Sequence, residues 1–319
     1  MSAERRWRVL IGSRSFGQAD PSHIRQLEEA GCEVVPNSLG RAYREEELLE
    51  LLPEMDAIIT GTDELTARVI EAAGRLRTIA KHGVGLDNID LEAARRRGIV
   101  VTATPGAIHD SVADLTMGLI IAVARQIVPA HNSTVAGEWR NFVGLELRDK
   151  TLGIIGLGRI GKGVCLRALP FGMRVVAYDL YPDEEFARAH GVRFVGLEEL
   201  LATSDVVTLH ASAGNDGRLL GRREIGLMKP GAIFINTSRG KLVDEGALCE
   251  ALAVGRLAGA GLDVFEEEPP RGPLLELPNV VLTPHIAGQT REGMIRMGEM
   301  TVQNCLRALR GEEPLYRVV

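Results

Sequence analysis

The segment Gly156-Leu157-Gly158-Arg159-Ile160-Gly161 is the feature that most constrains how this chain can fold. It follows the apolar run 151–155 and begins a helix-like segment that extends to Leu169. A second apolar run, 173–178, ends at Asp179. A strand, a glycine turn, a helix and a second strand that ends in an acid form, in this order, a βαβ unit that binds a dinucleotide.

Each part of this unit has a physical task. Gly156 allows the tight turn, Gly158 lets the backbone approach a pyrophosphate, and Gly161 lets the helix pack closely on the strand. The helix N-terminus, at Arg159 and Ile160, supplies unpaired N–H groups and partial positive charge for the phosphates. We therefore predict that these five residues form part of a cofactor site.

The acid at the end of the second strand indicates which dinucleotide binds. Asp179 is expected to accept a hydrogen bond from a ribose 2′-hydroxyl. A carboxylate at this position repels the 2′-phosphate of NADP, and no arginine directly follows it, so the predicted cofactor is NAD. The alternative, an ordinary turn between a strand and a helix, would not require the acid to be in register.

The composition is ordinary for a globular protein, and 319 residues are enough for two domains. The net charge of −6 argues against nucleic acid as a partner. The charged start, Met1–Arg8, is unlike a secretory signal, and no apolar run reaches the ~18 residues of a membrane span. We therefore expect a cytoplasmic protein without a membrane partner. Four cysteines fit no metal-binding spacing, so no metal site is predicted and reduced thiols are expected: Cys32, Cys165, Cys249 and Cys305.

Apolar runs alternate with helix-like segments in both halves of the chain, which indicates parallel sheets covered by helices on both faces. Strands are predicted at Trp7–Gly12, Glu33–Pro36, Asp56–Thr60, Leu76–Lys81 and Ile99–Thr102, and then at 151–155, 173–178, 205–209, 231–235, 258–262 and 280–282. Helices are predicted at Pro21–Gly31, Glu45–Leu52, Thr66–Ala73, Leu91–Arg97, Asp110–Arg125 (capped by Asp110 or Ser111), Arg159–Leu169 and about Thr290–Leu309.

Arg239, Glu268 and His285 each follow one of the last three predicted strands, at the carboxyl ends where ligands bind in such sheets. Arginine suits a bidentate grip on a carboxylate. Histidine titrates near neutral pH and suits proton transfer, and a nearby carboxylate fixes its tautomer. Taken singly, each residue could be a solvated or packing side chain. Their shared position beside a dinucleotide unit favours a catalytic site.

The chain resembles the D-isomer-specific 2-hydroxyacid dehydrogenase family, particularly its phosphoglycerate dehydrogenase branch, over essentially its whole length. Besides the glycine turn, the motifs that carry this resemblance follow in the family's order: Lys81-His82-Gly83-Val84-Gly85-Leu86-Asp87-Asn88-Ile89-Asp90, Met228-Lys229-Pro230-Gly231-Ala232, and the stretches 236–240, 262–269 and 284–288. One departure is Ala211-Ser212-Ala213-Gly214-Asn215, which puts cofactor contacts on the adenine side in question.

The resemblance implies reversible, NAD-dependent oxidation of a D-2-hydroxy acid to a 2-oxo acid. It implies that Arg239 binds the substrate carboxylate and carbonyl, that His285 is the acid/base, and that Glu268 pairs with it. The backbone of Val84 and Gly85 would receive the carboxylate. The further residues implied are Asn88 for the substrate and His210, Thr237, Asp263 and Gly288 for the cofactor, with Asp263 beside the nicotinamide.

The expected fold class is α/β, with two doubly wound parallel-sheet domains and a cleft between them. A Rossmann NAD-binding domain is expected at 103–284. A flavodoxin-like substrate-binding domain is expected at 1–102, to which 285–319 would return. By resemblance the protein is a homodimer with the 110–125 helix in the interface. That helix could instead be an ordinary core helix.

The substrate is expected to carry a second anionic group, as 3-phosphoglycerate does. Arg14 follows the first predicted strand, and Lys81 and His82 end the fourth, so their charges would share one sheet edge. These side chains could instead be solvated or paired with nearby acids. Two other functions are known for this fold: an NAD(H)-sensing corepressor-like protein without turnover, which stays an alternative, and formate dehydrogenase, which has glutamine where Glu268 stands and is disfavoured by this acid.

Overall fold

The computed structural model describes residues 7–211 and 217–319, and the chain divides into two compact units. Unit 1 contains the chain up to Ile108 together with Gln289–Val319, and unit 2 contains His109–Gly288. These divisions lie a few residues later than the expected ones after residues 102 and 284. The substrate-binding role of unit 1 stays a prediction.

Both units alternate strands with helices. The strands are β1 (Trp7–Ile11), β2 (Cys32–Val35), β3 (Ala57–Thr60), β4 (Thr78–Lys81), β5 (Val100–Thr102), β6 (Thr151–Ile155), β7 (Arg174–Tyr178), β8 (Arg193–Phe194), β9 (Val206–Leu209), β10 (Ile233–Asn236), β11 (Gly259–Leu262) and β12 (Val280–Leu282). The helices are α1 (Ser22–Glu29), α2 (Glu45–Leu51), α3 (Ala67–Ala72), α4 (Leu91–Arg96), α5 (His109–Ala124), α6 (Ile127–Val135), α7 (Arg159–Ala168), α8 (Glu184–His190), α9 (Leu197–Thr203), α10 (Arg222–Leu227), α11 (Glu245–Ala253) and α12 (Arg291–Arg310).

Unit 1 is built on a parallel five-stranded sheet in the order β2-β1-β3-β4-β5. This is the flavodoxin-like order, and its topological switch point lies between β1 and β3. Strand β3 is buried along its whole length, as a parallel strand covered on both faces requires. Helix α12 packs against β3, β4 and β5 of this sheet, so the end of the chain returns to unit 1.

Unit 2 is built on a parallel seven-stranded sheet in the order β12-β11-β10-β9-β6-β7-β8. This is the doubly wound dinucleotide-binding order with one added strand, and its switch point lies between β6 and β9. The connection from β8 to β9 reverses the direction of winding, so the glycine turn that leaves β6 lies at the switch point. Because all strands are parallel, their carboxyl ends share one edge.

Helix α5 is an internal helix of unit 2. It packs against β10, β11, β12 and α7, and Val112, Thr116 and Ile120 are buried. It begins at His109, so Asp110 and Ser111 lie in its first turn and neither caps it as expected. One face of this helix packs in the core of unit 2, and the subunit interface expected for the 110–125 helix stays a prediction.

The predicted strands agree with the observed ones to within two residues at each end. Strand β8 and helices α8, α9, α10 and α11 are not among the predicted elements, and neither is α6. It follows Gln126, whose left-handed conformation (φ 51°) breaks the chain out of α5 without a glycine or proline to signal it. Among the described residues, no single helix is long and apolar enough to cross a membrane, whereas α5 and α6, bent by 63°, together reach that length and composition.

Candidate active site

The glycine turn after β6 has the geometry that its three glycines require. Gly156 has φ +93°, and a Cβ there would lie 2.6 Å from the backbone nitrogen of Ala211, which follows β9. A Cβ on Gly161 would lie 2.2 Å from the carbonyl oxygen of Gly156. A Cβ on Gly158 would meet nothing within 4 Å, so the space over this residue is open. The turn is therefore closely packed at Gly156 and Gly161 and open at Gly158. The open side leaves the room that a pyrophosphate needs.

The start of α7 completes this part of the site. Gly158 is the N-cap, and the N–H groups of Gly158, Arg159 and Ile160 donate to no group among residues 7–211 and 217–319. Asp179, at the end of β7, accepts from the N–H of Leu157 at 2.7 Å and from that of Tyr181 at 2.9 Å. These bonds fix the carboxylate beside the turn. The residues present thus fit NAD: backbone donors for the phosphates and an anchored acid for the ribose.

His210 follows β9 and Thr237 follows β10, so both lie at the carboxyl edge of the sheet. Their side chains make different hydrogen bonds. His210 Nε2 lies 2.9 Å from Thr208 Oγ1, and burial lowers the pKa of His210 to about 3 although part of the ring is exposed. Thr116 Oγ1 donates to the Val112 carbonyl, so in its 3.0 Å contact with Thr237 the Thr237 hydroxyl is the donor. His210 is therefore neutral, and the Thr237 hydroxyl can only accept from a ligand. Of the 211–215 departure, only Ala211 is among the described residues.

Asp263 follows β11 and is fully buried. Its carboxylate accepts from Thr283 Oγ1 at 2.6 Å, from the N–H of Ile286 at 2.8 Å and from that of Ala287 at 2.9 Å. The N–H of His285 donates to the Asp263 carbonyl at 3.0 Å. Asp263 therefore ties the segment after β12 to the end of β11, and Gly288 follows directly on the tied segment.

His285 and Glu268 form the pair expected from the sequence. His285 Nδ1 lies 2.8 Å from Glu268 Oε2, and the other carboxylate oxygen accepts from the N–H of Phe265 at 3.3 Å. His285 has a left-handed backbone (φ 53°), which is rare outside glycine. An ionised carboxylate can only accept, so Nδ1 is the donor, and proton exchange with a substrate falls to Nε2.

The pKa of Glu268 lies below its usual range. Burial alone would raise it, but the hydrogen bond and charge of His285, the N–H of Phe265 and the charge of Arg239 together outweigh burial. Glu268 therefore remains ionised as the pH falls until that lowered pKa is reached, and it favours a protonated His285.

Arg239 lies just beyond β10, at the same sheet edge. Its Nη1 donates to the Ser238 carbonyl at 2.7 Å, and the side chain of Asn236 donates to the Arg239 carbonyl at 3.0 Å. The charge of Arg239 is one of the causes that lower the pKa of Glu268. Arg239, Glu268 and His285 are thus brought to one edge of unit 2 by β10, β11 and β12.

Sequence reasoning missed Gly240, which sets the spacing between two of these loops. A Cβ on Gly240 would lie 1.9 Å from the carbonyl carbon of Phe265, so only glycine fits there. The signal was present in the Arg239-Gly240 pair, but nothing in the sequence shows that the backbone of the next loop crosses at this point.

In unit 1 the predicted substrate residues fall into two groups. Val84 is exposed and Arg14 is exposed, and Gly85 is partly exposed. Lys81 and His82 are buried instead. His82 packs edge-on against Phe16, and burial lowers the pKa of His82 to about 3, so it carries no charge near neutral pH and the expectation of a cationic His82 is wrong.

Lys81 and Asn88 contact each other. Lys81 Nζ donates to Asn88 Oδ1 at 2.7 Å and to the carbonyl of Gly61. Lys81 thus lies at the predicted carboxyl edge of the sheet, but it is buried and hydrogen-bonded within unit 1, and its contact with a substrate stays a prediction. Among the described residues, no cluster of three or more histidine, cysteine or acidic side chains is arranged to hold a metal ion.

Comparisons with known proteins agree with this geometry. Residues 117–287 match the family model "D-isomer specific 2-hydroxyacid dehydrogenase, NAD binding domain". D-3-phosphoglycerate dehydrogenase of Methanocaldococcus jannaschii is 46% identical over 303 residues, which cover 92% of this chain and 57% of that protein. Glyoxylate reductase of Korarchaeum cryptofilum is 44% identical over 277 residues, which cover 84% and 83%. The crystal structure of the TT0316 protein from Thermus thermophilus superposes with a TM-score of 0.89 at 43% identity, covering 98% of this chain and 100% of that chain.

Gly240→Ala is expected to lower the free energy of unfolding of unit 2 by on the order of 3 kcal/mol, because a methyl group would overlap the Phe265 backbone. Activity should fall with it, since the loops that carry Arg239 and Glu268 must separate. Gly226→Ala, in α10 with open space around the Cβ, is the matched control and should be stable. Urea unfolding of both variants measures the difference; equal stabilities would contradict the account.

Proposed function

We propose that this chain, which belongs to the D-isomer specific 2-hydroxyacid dehydrogenase family, interconverts a D-2-hydroxy acid and its 2-oxo acid with NAD as cofactor. The observation that carries the proposal is the 2.8 Å contact between His285 Nδ1 and Glu268 at the sheet edge that also holds Arg239. This arrangement supplies a proton donor and a carboxylate-binding cation beside a dinucleotide turn.

Each side chain has one task in this reaction. NAD held by the glycine turn and Asp179 would supply the hydride acceptor for oxidation, and NADH the hydride donor for reduction. Arg239 holds the carboxylate and carbonyl of the 2-oxo acid through its planar guanidinium. His285 gives a proton from Nε2 to the carbonyl oxygen in reduction and takes it back in oxidation. Glu268 accepts from Nδ1, which fixes the tautomer and stabilises the protonated ring.

The finer question is which 2-oxo acid is used, because the two relatives described above are named D-3-phosphoglycerate dehydrogenase and glyoxylate reductase. Arg14, Lys81 and His82 are the three cationic groups expected at the carboxyl edge of the sheet of unit 1. Of these three, only Arg14 is exposed. Its side chain makes no hydrogen bond or ion pair with the described part of the chain. We propose that Arg14 recognises a second anionic group, as in phosphohydroxypyruvate, and that a glyoxylate-like substrate would not use it.

We also propose a homodimer through the region of the 110–125 helix, with a contact surface that extends to the end of α6. The exposed apolar side chains Val135, Trp139 and Val143 lie at and after the end of α6, with Trp139 94% exposed. A group of large exposed apolar side chains is typical of protein contacts.

Light scattering should give twice the chain mass at micromolar concentration; the mass of a single chain would contradict the dimer.

The substrate is tested by NADH oxidation with phosphohydroxypyruvate, 2-oxoglutarate, pyruvate and glyoxylate. If a second anion is recognised, Arg14→Ala should lower kcat/KM for the two dianions by about 5- to 10-fold and leave the monoanions unchanged. Arg25→Ala, also exposed in unit 1, is the control. A wild-type preference for monoanions would refute the dianion proposal. NADH binding without turnover on any acid would instead favour an NAD sensor.

Glu268→Gln should move the pH profile of reduction. Reduction needs a proton on His285, and the negative charge of Glu268 helps to hold it there, so removing the charge should move the alkaline decline of kcat/KM to a lower pH. The wild type should also lose activity in acid, as the pH falls through the lowered pKa of Glu268. Profiles of the two proteins that coincide would show that the contact does not control the proton.

A further inference from the structure

The loop 82–88 of unit 1, between β4 and α4, is held firmly at both ends. The N–H of His82 donates to the Thr60 carbonyl at 2.9 Å, and Thr104 donates twice to the Gly83 carbonyl, from its N–H and its hydroxyl, each at 3.0 Å. At the far end the N–H of Leu65 donates to the Asn88 carbonyl at 2.9 Å. These hydrogen bonds therefore fix the path of the loop at both of its ends.

The middle of this loop presents two backbone donors. The N–H groups of Val84 and Gly85 have no acceptor in the described part of the chain, and Val84 is 43% exposed. Adjacent unpaired N–H groups at an exposed turn form a concave site for an anion such as a carboxylate. This is the backbone to which the proposed function assigns the substrate carboxylate.

Lys81 lies beneath that backbone. Its side chain is 6% exposed, and it runs under Gly83, where a Cβ would come within 3.2 Å of Lys81 Cε. The ammonium donates to the Gly61 carbonyl and to Asn88 Oδ1. A buried ammonium is costly unless it is hydrogen-bonded and balanced by charge. The contacts of Asn88 and Asp63 bear on these two requirements.

Asn88 links the ammonium to the end of β3. Both of its side-chain N–H groups are used, one toward the Gly61 carbonyl at 3.2 Å and one toward the Asp63 carbonyl at 2.7 Å. Its oxygen accepts from Lys81. Asn88 therefore has no donor left for a substrate.

Asp63 is linked to this ammonium through Gly61, whose N–H donates to the Asp63 carboxylate and whose carbonyl accepts from Lys81. Its carboxylate is fully buried at the β1/β3 switch point, where it accepts from the N–H of Tyr43 at 2.8 Å, the hydroxyl of Thr60 at 2.7 Å and the N–H of Gly61 at 3.1 Å. A Cβ on Gly12 would lie 2.3 Å from it, so the carboxylate fills the crevice between the two strands. The place where such sheets bind ligands is therefore occupied in unit 1 by the protein's own acid.

We propose that Lys81 and Asn88 are positioning residues that hold the Val84 and Gly85 N–H groups in place for the carboxylate common to all 2-oxo acids. The buried ammonium adds positive potential under those N–H groups without touching the substrate. The proposal rests on the proposed function. It reassigns both residues, which the sequence places in direct contact with the substrate, and it separates them from Arg14.

The substrate series distinguishes positioning from direct contact. Lys81→Met should raise KM for glyoxylate and for phosphohydroxypyruvate by the same factor, about 10-fold, because the shared carboxylate is affected. The kcat and the Kd for NADH should stay within about 2-fold of wild type. If Lys81 instead contacts a second anion, only the phosphohydroxypyruvate KM rises, and the proposal is wrong.

A second variant keeps the test sharp if Lys81→Met does not fold. Asn88→Ser should raise KM in the same uniform way, and the double variant should lose less than the two single losses combined, because both residues act as one unit. Arg68→Met, which removes an exposed ion pair with Glu45 in unit 1, is the control and should change neither KM. Additive losses, or unchanged KM values in Asn88→Ser, would overturn the proposal.

Hydrogen–deuterium exchange gives a readout that does not need turnover. Exchange over residues 82–90 should be faster in Lys81→Met and Asn88→Ser than in wild type and in Arg68→Met, because the loop loses its side-chain support. Exchange that matches wild type in both variants would overturn the positioning role. An inactive wild type with faster exchange in the variants would refute the proposed function while leaving the positioning role supported.

Discussion

The carboxylate of Asp263 accepts three hydrogen bonds in the interior of unit 2, and the geometry of the site depends on it. These bonds hold the residues on either side of His285, whose left-handed backbone a free chain would rarely adopt. The strain of that backbone is offset by bonds to a buried charge that is fully satisfied. Without the hydrogen bonds to Asp263, the backbone would not hold the His285 imidazole 2.8 Å from Glu268.

The parallel sheet explains why so few residues are enough. The strands β10, β11 and β12 are neighbours, so the loops that follow them begin at one edge without long connections. Gly240 then lets the first loop touch the backbone of the second. Rigid strands bring the arginine, the carboxylate and the histidine together, and only local loop geometry remains to be set.

The sequence predicts most of this arrangement because its signals are local. Glycine turns, apolar runs and strand-end acids each lie within a few residues, so β6, α7 and Asp179 are readable from the chain. The contacts of Lys81, His82 and Gly240 are not, because each depends on a segment elsewhere in the chain that crosses at one point. From the sequence alone Lys81 has the character of a surface cation. In the structure its ammonium donates hydrogen bonds to Gly61 and Asn88.

That difference bears on how the substrate is chosen. A charge can act on a ligand by contact or through the backbone that it supports, and the two modes select differently. Contact with a distal group distinguishes one 2-oxo acid from another, as an exposed Arg14 could. Support beneath a carboxylate site strengthens binding of every 2-oxo acid alike. Because Lys81 and Asp63 are both buried and opposite in charge, unit 1 presents little net charge from this cluster, and discrimination falls to the exposed side chains around it.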